Sequence, residues 1–310
     1  MAPWTTDDLP DQQGRTVLIT GANSGLGLRS AEALAAAGAR VLLACRNAEK
    51  AAVARESVAA GATGPAPEVV ALDLSDLDSV AACAERLQGS LDHLDLLIDN
   101  AGVMALPKRL ATAQGFEMQF GTNHLGHFAL TGRLLPLLLA AEAPRVVAVS
   151  SMGHRPGHIR WDDPNWETGT YRAWPAYFQT KLANLLFTLE LSRQAADAGT
   201  SLLVAAAHPG ASHTGLAANG PGTGSAFMRV GSQITDRFFS QSDAMGALPQ
   251  LYAATMPDVA PNGYYGPDGF MEQRGHPKPV GRTNRASDPE AAKRLWKLSE
   301  DLTGVTYEWP

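Results

Sequence analysis

The chain has 310 residues, with 25 Lys and Arg against 31 Asp and Glu, a net charge of −6, and 45% hydrophobic residues. That length admits one large α/β unit or two small ones, at roughly 100–200 residues per domain, and the mild acidic balance leaves no basic footprint for nucleic acid. Its two cysteines, Cys45 and Cys83, stand at no metal-ligand spacing, so neither a disulfide framework nor a zinc site is indicated and a reducing, cytoplasmic setting is expected.

Residues 1–14 are polar and acidic without a basic-then-apolar leader pattern, and the longest apolar stretch, 134–141, contains Pro136 and is too short for a membrane span. The apolar run Val17-Leu18-Ile19-Thr20 then feeds Gly21-Ala22-Asn23-Ser24-Gly25-Leu26-Gly27 and an alanine-rich segment. This reads as a strand over 15–20, a phosphate-binding turn and a helix over about 25–37. Gly21 lets the chain leave the strand sharply, Gly25 lets backbone approach a pyrophosphate, and Gly27 lets helix and strand pack closely. The spacing is G-x-x-x-G-x-G, and a tight turn with no ligand would explain such a run equally well.

The rhythm continues with a strand over 39–45, a helix over 48–60, a strand over 68–72, a helix over 76–87 with Asp76 near its start, and a strand over 94–98. A long helical region over 115–141, a strand over 145–150, a helix over 174–198 and a strand over 202–207 complete it. Continuous rather than alternating apolar strands are buried on both faces, which predicts a doubly wound Rossmann α/β fold, a parallel sheet of about seven strands flanked by helices. No linker divides the chain, so residues 1–310 are expected to form a single domain. Two stretches interrupt the pattern: 153–172, rich in Trp, Pro and His, and 217–233, rich in Gly and Ser and continuing as a loop to about 240. Both are expected on the ligand side, the second as a lid or a disordered stretch. The tail, 277–310, ends in a predicted helix over 288–302 that would cover the pocket or serve an interface.

In a dinucleotide fold an acid at the end of the second strand suits a ribose hydroxyl, whereas a base suits a 2′-phosphate. Here the strand ends Ala44-Cys45-Arg46, which favours NADP(H) over NAD(H), the alternative being a solvated surface arginine. Asp73-Leu74 follows the third strand, where the carboxylate would bind adenine or cap the next helix. Tyr177 and Lys181, four apart on a predicted helix, share a face a turn apart. A phenol with an ordinary pKa of about 10 must be pushed down to work near neutrality, and a lysine charge and a nicotinamide cation would both do so. A surface helix pair is the plainer alternative.

With these residues in order, the chain resembles the short-chain dehydrogenase/reductase family. Asp99-Asn100-Ala101-Gly102 is similar to the family's Asn-Asn-Ala-Gly signature, with Asp99 in place of the first asparagine, a departure that touches only a local sheet contact. The resemblance implies that Asn123, in Thr122-Asn123-His124-Leu125-Gly126, holds a water in a proton relay to the lysine. It also implies that Ser151, with Ser150 as runner-up, orients the substrate oxygen, and that Pro209-Gly210-Ala211-Ser212-His213-Thr214 contacts the nicotinamide carboxamide. The implied catalytic set is Ser151, Tyr177, Lys181 and Asn123. The cofactor set is Gly21, Asn23, Ser24, Gly25, Leu26, Gly27, Arg46, Asp73, Leu74, Asn100, Ala101, Gly102, Tyr177, Lys181, Pro209, Gly210 and Thr214. Ala44-Cys45-Arg46-Asn47, Ser150-Ser151-Met152-Gly153-His154 and Thr180-Lys181-Leu182-Ala183-Asn184 look like the retinol dehydrogenase and protochlorophyllide reductase-like branch. Leu28 stands where retinol dehydrogenases often carry a lysine, which leaves Arg46 as the main reader of the 2′-phosphate.

The resemblance implies an NADP(H)-dependent oxidoreductase acting on a lipophilic alcohol/carbonyl pair, retinoid-, steroid- or aldehyde-like. The alternatives are a non-catalytic NADP(H)-binding regulator and a C=C reductase on the same fold. A sugar-nucleotide epimerase or dehydratase is disfavoured by the glycine turn and the modest tail. A small-molecule substrate is expected, with a homodimer or homotetramer also open through the long helices. His154 and His158 would touch substrate or serve as loop polar groups, and no histidine spacing suits a metal. Trp161, Trp166, Trp174 and Phe178 would line an apolar pocket or pack the insertion onto the domain.

Overall fold

The computed structural model describes residues 3–211 and 241–310 of the chain. Among them the first half alternates β1 (Thr16–Thr20), α1 (Gly25–Ala36), β2 (Arg40–Cys45), α2 (Ala48–Ala59), β3 (Glu68–Ala71), α3 (Leu77–Gln88) and β4 (Leu96–Asp99). A helical turn, Met118–Phe120, and a π-helical turn, Gly121–Leu125, run into α4 (Gly126–Leu139). Then come β5 (Arg145–Val149), α5 (Ala173–Asp197), β6 (Leu203–Ala207), α6 (Asp243–Thr255), β7 (Gly263–Pro267), β8 (Pro277–Pro279) and α7 (Pro289–Thr303).

The eight strands form one sheet in the order β3-β2-β1-β4-β5-β6-β7-β8. All neighbours are parallel except β7 and β8, which pair antiparallel with Gly266 opposite Lys278. The predicted parallel sheet of about seven strands is therefore present, with a short eighth strand at its edge. Alternate residues of the central strands feed opposite cores. Leu18, Leu42, Leu97 and Val146 pack under α3, α4 and α5, while Val17, Ile19, Val41 and Ile98 pack under α1, α2 and α6. Burial on both faces is what made these strands readable as continuous apolar runs.

β7 and α6 were not read from the sequence. β7 is Gly-Tyr-Tyr-Gly-Pro, which resembles a turn, and α6 carries Pro249 and Gly246 inside its span. Both are supported by long-range packing: a side chain at Gly266 would come within 2.0 Å of His208 Nε2, and Leu248 and Leu251 of α6 are buried.

The tail does not close over the ligand side. α7 presents Ala292 and Leu295 to Leu182, Leu185 and Leu186 of α5. Beyond it Tyr307 packs tilted against Trp296, ring centres 4.4 Å apart, and donates its hydroxyl to the Phe128 carbonyl at 2.7 Å. Gly132 makes room, since a Cβ there would meet Tyr307 at 2.6 Å. The chain itself thus covers part of the outer surface of α4 and α5. Among the described residues no helix is long and apolar enough to cross a membrane.

Candidate active site

The order of the strands reverses between β1 and β4, and in open α/β sheets the crevice beyond the strand ends at such a switch is where ligands bind. The glycine turn Gly21–Gly27 and the segment Asn100–Gly102 meet there. Thr20 locks them together: its hydroxyl oxygen accepts from the backbone N–H groups of Asn100 and Ala101, each at 2.9 Å. The Asn100 amide donates back to the Thr20 carbonyl at 2.8 Å. Gly21 and Gly25 have φ of +66° and +54°, which only glycine adopts without strain. Gly27 is required by space, because a Cβ would lie 2.6 Å from both the Gly21 carbonyl and the Asn100 amide. Ser24 precedes α1 without capping its first N–H groups through its own side chain.

A cleft of about 780 Å³ runs from this turn past the ends of β2 and β3 on one side and β5 on the other. Gly21, Asn23, Ser24, Gly25, Leu26, Arg46, Asp73, Leu74, Asn100, Ala101, Gly102, Ser150, Ser151, Tyr177, Lys181, Pro209 and Gly210 all line it, so the structure gathers nearly the whole predicted set. Gly27 lies beneath the turn, and Asn123 is fully buried behind the cleft. Thr214, His213 and the predicted loop to residue 240 lie outside the described residues. A second hollow of about 520 Å³, between the N-terminal turn, α1 and α6, is walled by alanines, leucines and polar residues such as Asp7, Arg29 and Glu32, and holds none of these residues.

At the β2 end Arg46 is exposed and 3.8 Å from Asp73. Asp73 is not the cap of the next helix, which is Asp76, bonded to the Asp78 N–H; instead it accepts from the Ser75 N–H and hydroxyl at 3.0 and 2.6 Å. Lys50 also lines this end, a residue the sequence reading missed. Asn47 caps α2 by accepting from the Lys50 N–H at 2.8 Å, which fixes the first turn of α2, and Lys50 with it, at the end of β2.

At the β5 end the two serines divide their work. Ser150 donates to the Lys181 carbonyl at 2.8 Å and anchors α5. Ser151 accepts from the Gly153 N–H at 3.0 Å and faces the Tyr177 hydroxyl closely enough to pull on its ionisation. Lys181 donates to the Val149 carbonyl at 2.9 Å, and its Nζ lies 5.7 Å from the centre of the Tyr177 ring. The expected lowering of the tyrosine is not what the protein alone produces. Burial pushes Tyr177 up to about 12, against a smaller downward pull from Ser151, and pushes Lys181 down to about 8. Desolvation disfavours the charged form of each group.

Asn123 spends both amide hydrogens on the chain around it, donating to the Val103 carbonyl at 2.8 Å and to the Thr180 hydroxyl at 3.1 Å. Its Oδ1 accepts from the Val103 N–H at 2.7 Å. Asp99 has a larger consequence than the local contact expected of it. It is 1% exposed, burial pushes its carboxyl up to about 8, and among the described residues only one of its oxygens has a partner, the Thr131 hydroxyl at 3.1 Å.

The segment 153–172 packs onto the body of the protein. Buried Glu117 accepts from the Tyr171 hydroxyl at 3.0 Å, Arg109 donates to the Asn165 carbonyl at 2.8 Å, and Arg160 covers Trp166 at 4.2 Å. Trp161 likewise lies under Arg294 at 4.4 Å. Trp174 alone of these tryptophans approaches the site, 6.1 Å from Tyr177, with Phe178 beside it. His154 is buried, its Nδ1 2.7 Å from the Ser151 carbonyl, and is placed under the serine rather than toward the cleft. His158 stays in its own loop, 2.9 Å from the Pro156 carbonyl.

The family model for short chain dehydrogenases matches residues 15–221. Retinol dehydrogenase 13 of Homo sapiens is 39% identical over 94% of this chain and 85% of its own length. Retinol dehydrogenase 14 of Mus musculus is 40% identical over 94% and 86%. Among solved structures, an uncharacterised protein from Mycobacterium paratuberculosis superposes with a TM-score of 0.82 at 43% identity, covering 99% of this chain and 100% of that one. A short chain dehydrogenase from Escherichia coli, complexed with NADPH, gives 0.55 at 27% identity over 70% and 85%.

Proposed function

The chain belongs to the short chain dehydrogenase family, and we propose that it is an NADP(H)-dependent oxidoreductase transferring a hydride between nicotinamide and a lipophilic alcohol/carbonyl substrate. The observation that carries this reading is the convergence of Ser151, Tyr177 and Lys181 at one end of a cleft whose other end holds the glycine turn, Arg46 and Lys50. The site fits a dinucleotide. The Gly21 and Gly25 conformations and the start of α1, which the Ser24 side chain leaves uncapped, make a cradle for a pyrophosphate, and Arg46 and Lys50 supply cations where a 2′-phosphate would lie. The NADPH held by the Escherichia coli relative supports the same choice.

When bound, the nicotinamide supplies or takes the hydride. In the direction of reduction the Ser151 and Tyr177 hydroxyls hold the substrate oxygen, and Tyr177 gives it a proton. A phenol kept protonated by burial suits that role. Lys181, brought down to about 8, replenishes that proton and holds ribose hydroxyls. Asn123 acts through the chain it pins, keeping Val103 and Thr180 in place beside the reacting groups. Val103, Met104, Leu106, Leu110 and Met118 make the substrate end apolar, which fits a lipophilic substrate, as do relatives that carry retinol in their names.

The test is titration of the protein with NADPH and NADH, then a carbonyl and alcohol panel spanning retinoids, steroids and aliphatic aldehydes at saturating cofactor. Tight NADPH binding with turnover on a panel member is the expected result. Tight binding without any turnover would favour a non-catalytic regulator, and absence of binding would sink the reading. Arg46→Ala is expected to weaken NADPH about tenfold, the equivalent of one charge-assisted hydrogen bond, with Lys50→Ala adding a similar loss and NADH unaffected. Equal weakening of both cofactors would place the phosphate elsewhere.

A further inference from the structure

His127 is a buried imidazole on α4 that the reaction scheme leaves unused, and its two ring nitrogens touch the two halves of the site. Nε2 lies 2.9 Å from the Thr20 hydroxyl, and Nδ1 lies 3.1 Å from the Asn123 carbonyl. Counting donors assigns the proton. The Thr20 oxygen already accepts two backbone N–H groups, those of Asn100 and Ala101, which uses both of its lone pairs. Its own hydrogen must therefore be donated, either to His127 Nε2 at 2.9 Å or to the Ile98 carbonyl at 3.4 Å. The shorter contact takes it. Nε2 is then the acceptor, the ring proton is on Nδ1, and Nδ1–H donates to the Asn123 carbonyl. The ring is 3% exposed, so it stays neutral.

We propose that His127, fixed as the Nδ1–H tautomer, is a positioning residue that ties the cofactor turn at Thr20 to Asn123 and so sets the catalytic helix against the nicotinamide end of the cleft. The connection continues from both ends. Thr20 holds Asn100 and Ala101, which line the cleft, while Asn123 holds Thr180, whose hydroxyl also donates to the Tyr177 carbonyl at 2.8 Å. The π-helical turn Gly121–Leu125 places Asn123 and His127 for this bond, and such turns recur at functional sites. The proposal rests on the oxidoreductase reading for its kinetic consequences, though not for the tautomer.

Three variants separate the two bonds. From the same backbone position glutamine can present an acceptor where Nε2 stood, and asparagine a donor where Nδ1 stood, while phenylalanine keeps the ring and supplies neither. His127→Phe is expected to raise the NADPH Kd and to lower the single-turnover hydride rate, each about fivefold, the equivalent of one net hydrogen bond. His127→Gln should recover cofactor affinity but not the rate, and His127→Asn the rate but not the affinity. A structural role alone would move both parameters together with Tm in all three, and that pattern would overturn the proposal. Nitrogen-15 NMR of the imidazole in the wild-type protein gives a reading independent of activity: a protonated Nδ1 and a bare Nε2, unchanged between about pH 6 and 8. An Nε2–H tautomer would overturn the proposal even in an active enzyme. If the wild type binds no NADPH but shows the Nδ1–H tautomer, the oxidoreductase reading fails and the assigned link stands.

Discussion

Tyr177→Phe is expected to lower turnover by about a thousandfold, within the range for loss of a general acid, while leaving NADPH affinity within a few-fold. The ring is 8% exposed, packs near Trp174 and Phe178, and keeps its volume in phenylalanine. What disappears is the hydroxyl facing Ser151, while the ring and its packing stay. Lys181 remains tied to the Val149 carbonyl and Asn184 donates to the same oxygen, so the ribose side of the site keeps its anchors. Single-turnover kinetics on an active panel substrate, with parallel NADPH titration, checks both halves. A variant retaining more than about a tenth of wild-type turnover would remove Tyr177 from the chemistry.

Asp99→Asn is expected to abolish a large part of the pH dependence of stability. In the unfolded chain this carboxyl ionises near 4, whereas in the folded protein burial holds it protonated up to about 8. Between those values the native state binds more protons than the unfolded state, so stability falls as pH rises and the loss is complete only above about 8. At about 1.4 kcal/mol per unit, the penalty reaches several kcal/mol. Asparagine has the same shape, no proton to lose, and can still accept from Thr131. Urea midpoints should converge near pH 4 and separate steadily with rising pH, the variant being the more stable near pH 9. Identical pH slopes in the two proteins would show that Asp99 is not a buried acid.

Much of the site was legible because its signals are local. The glycine turn needs backbone conformations and clearances that residues 21, 25 and 27 alone can provide, and the Tyr177–Lys181 spacing follows from helix geometry. Arg46 could be placed because it ends a strand whose burial pattern is unmistakable. Lys50 escaped because its relevance depends on the cap at Asn47, and β7 escaped because a strand written Gly-Tyr-Tyr-Gly-Pro is held by its neighbour β6 rather than by its own composition. α6 was hidden in the same way, its Pro249 and Gly246 tolerated because the helix is buried against the sheet.

The sequence by itself determined the winding of the sheet, the glycine cradle and the Tyr177–Lys181 pairing, since periodicity and short-range spacing are properties of neighbouring residues, while Ser151, Asn123 and Asn100–Gly102 were placed through the family resemblance. Only the tertiary structure decided which serine meets Tyr177, that the tyrosine is raised rather than lowered, that Asp99 holds a proton, and that His127 joins Thr20 to Asn123. These depend on partners far apart in the chain, such as Thr20 with His127 at 107 residues' separation. They depend as well on how much water burial removes, and a side chain's proton and hydrogen-bond partner are set by that environment, not by its place in the sequence.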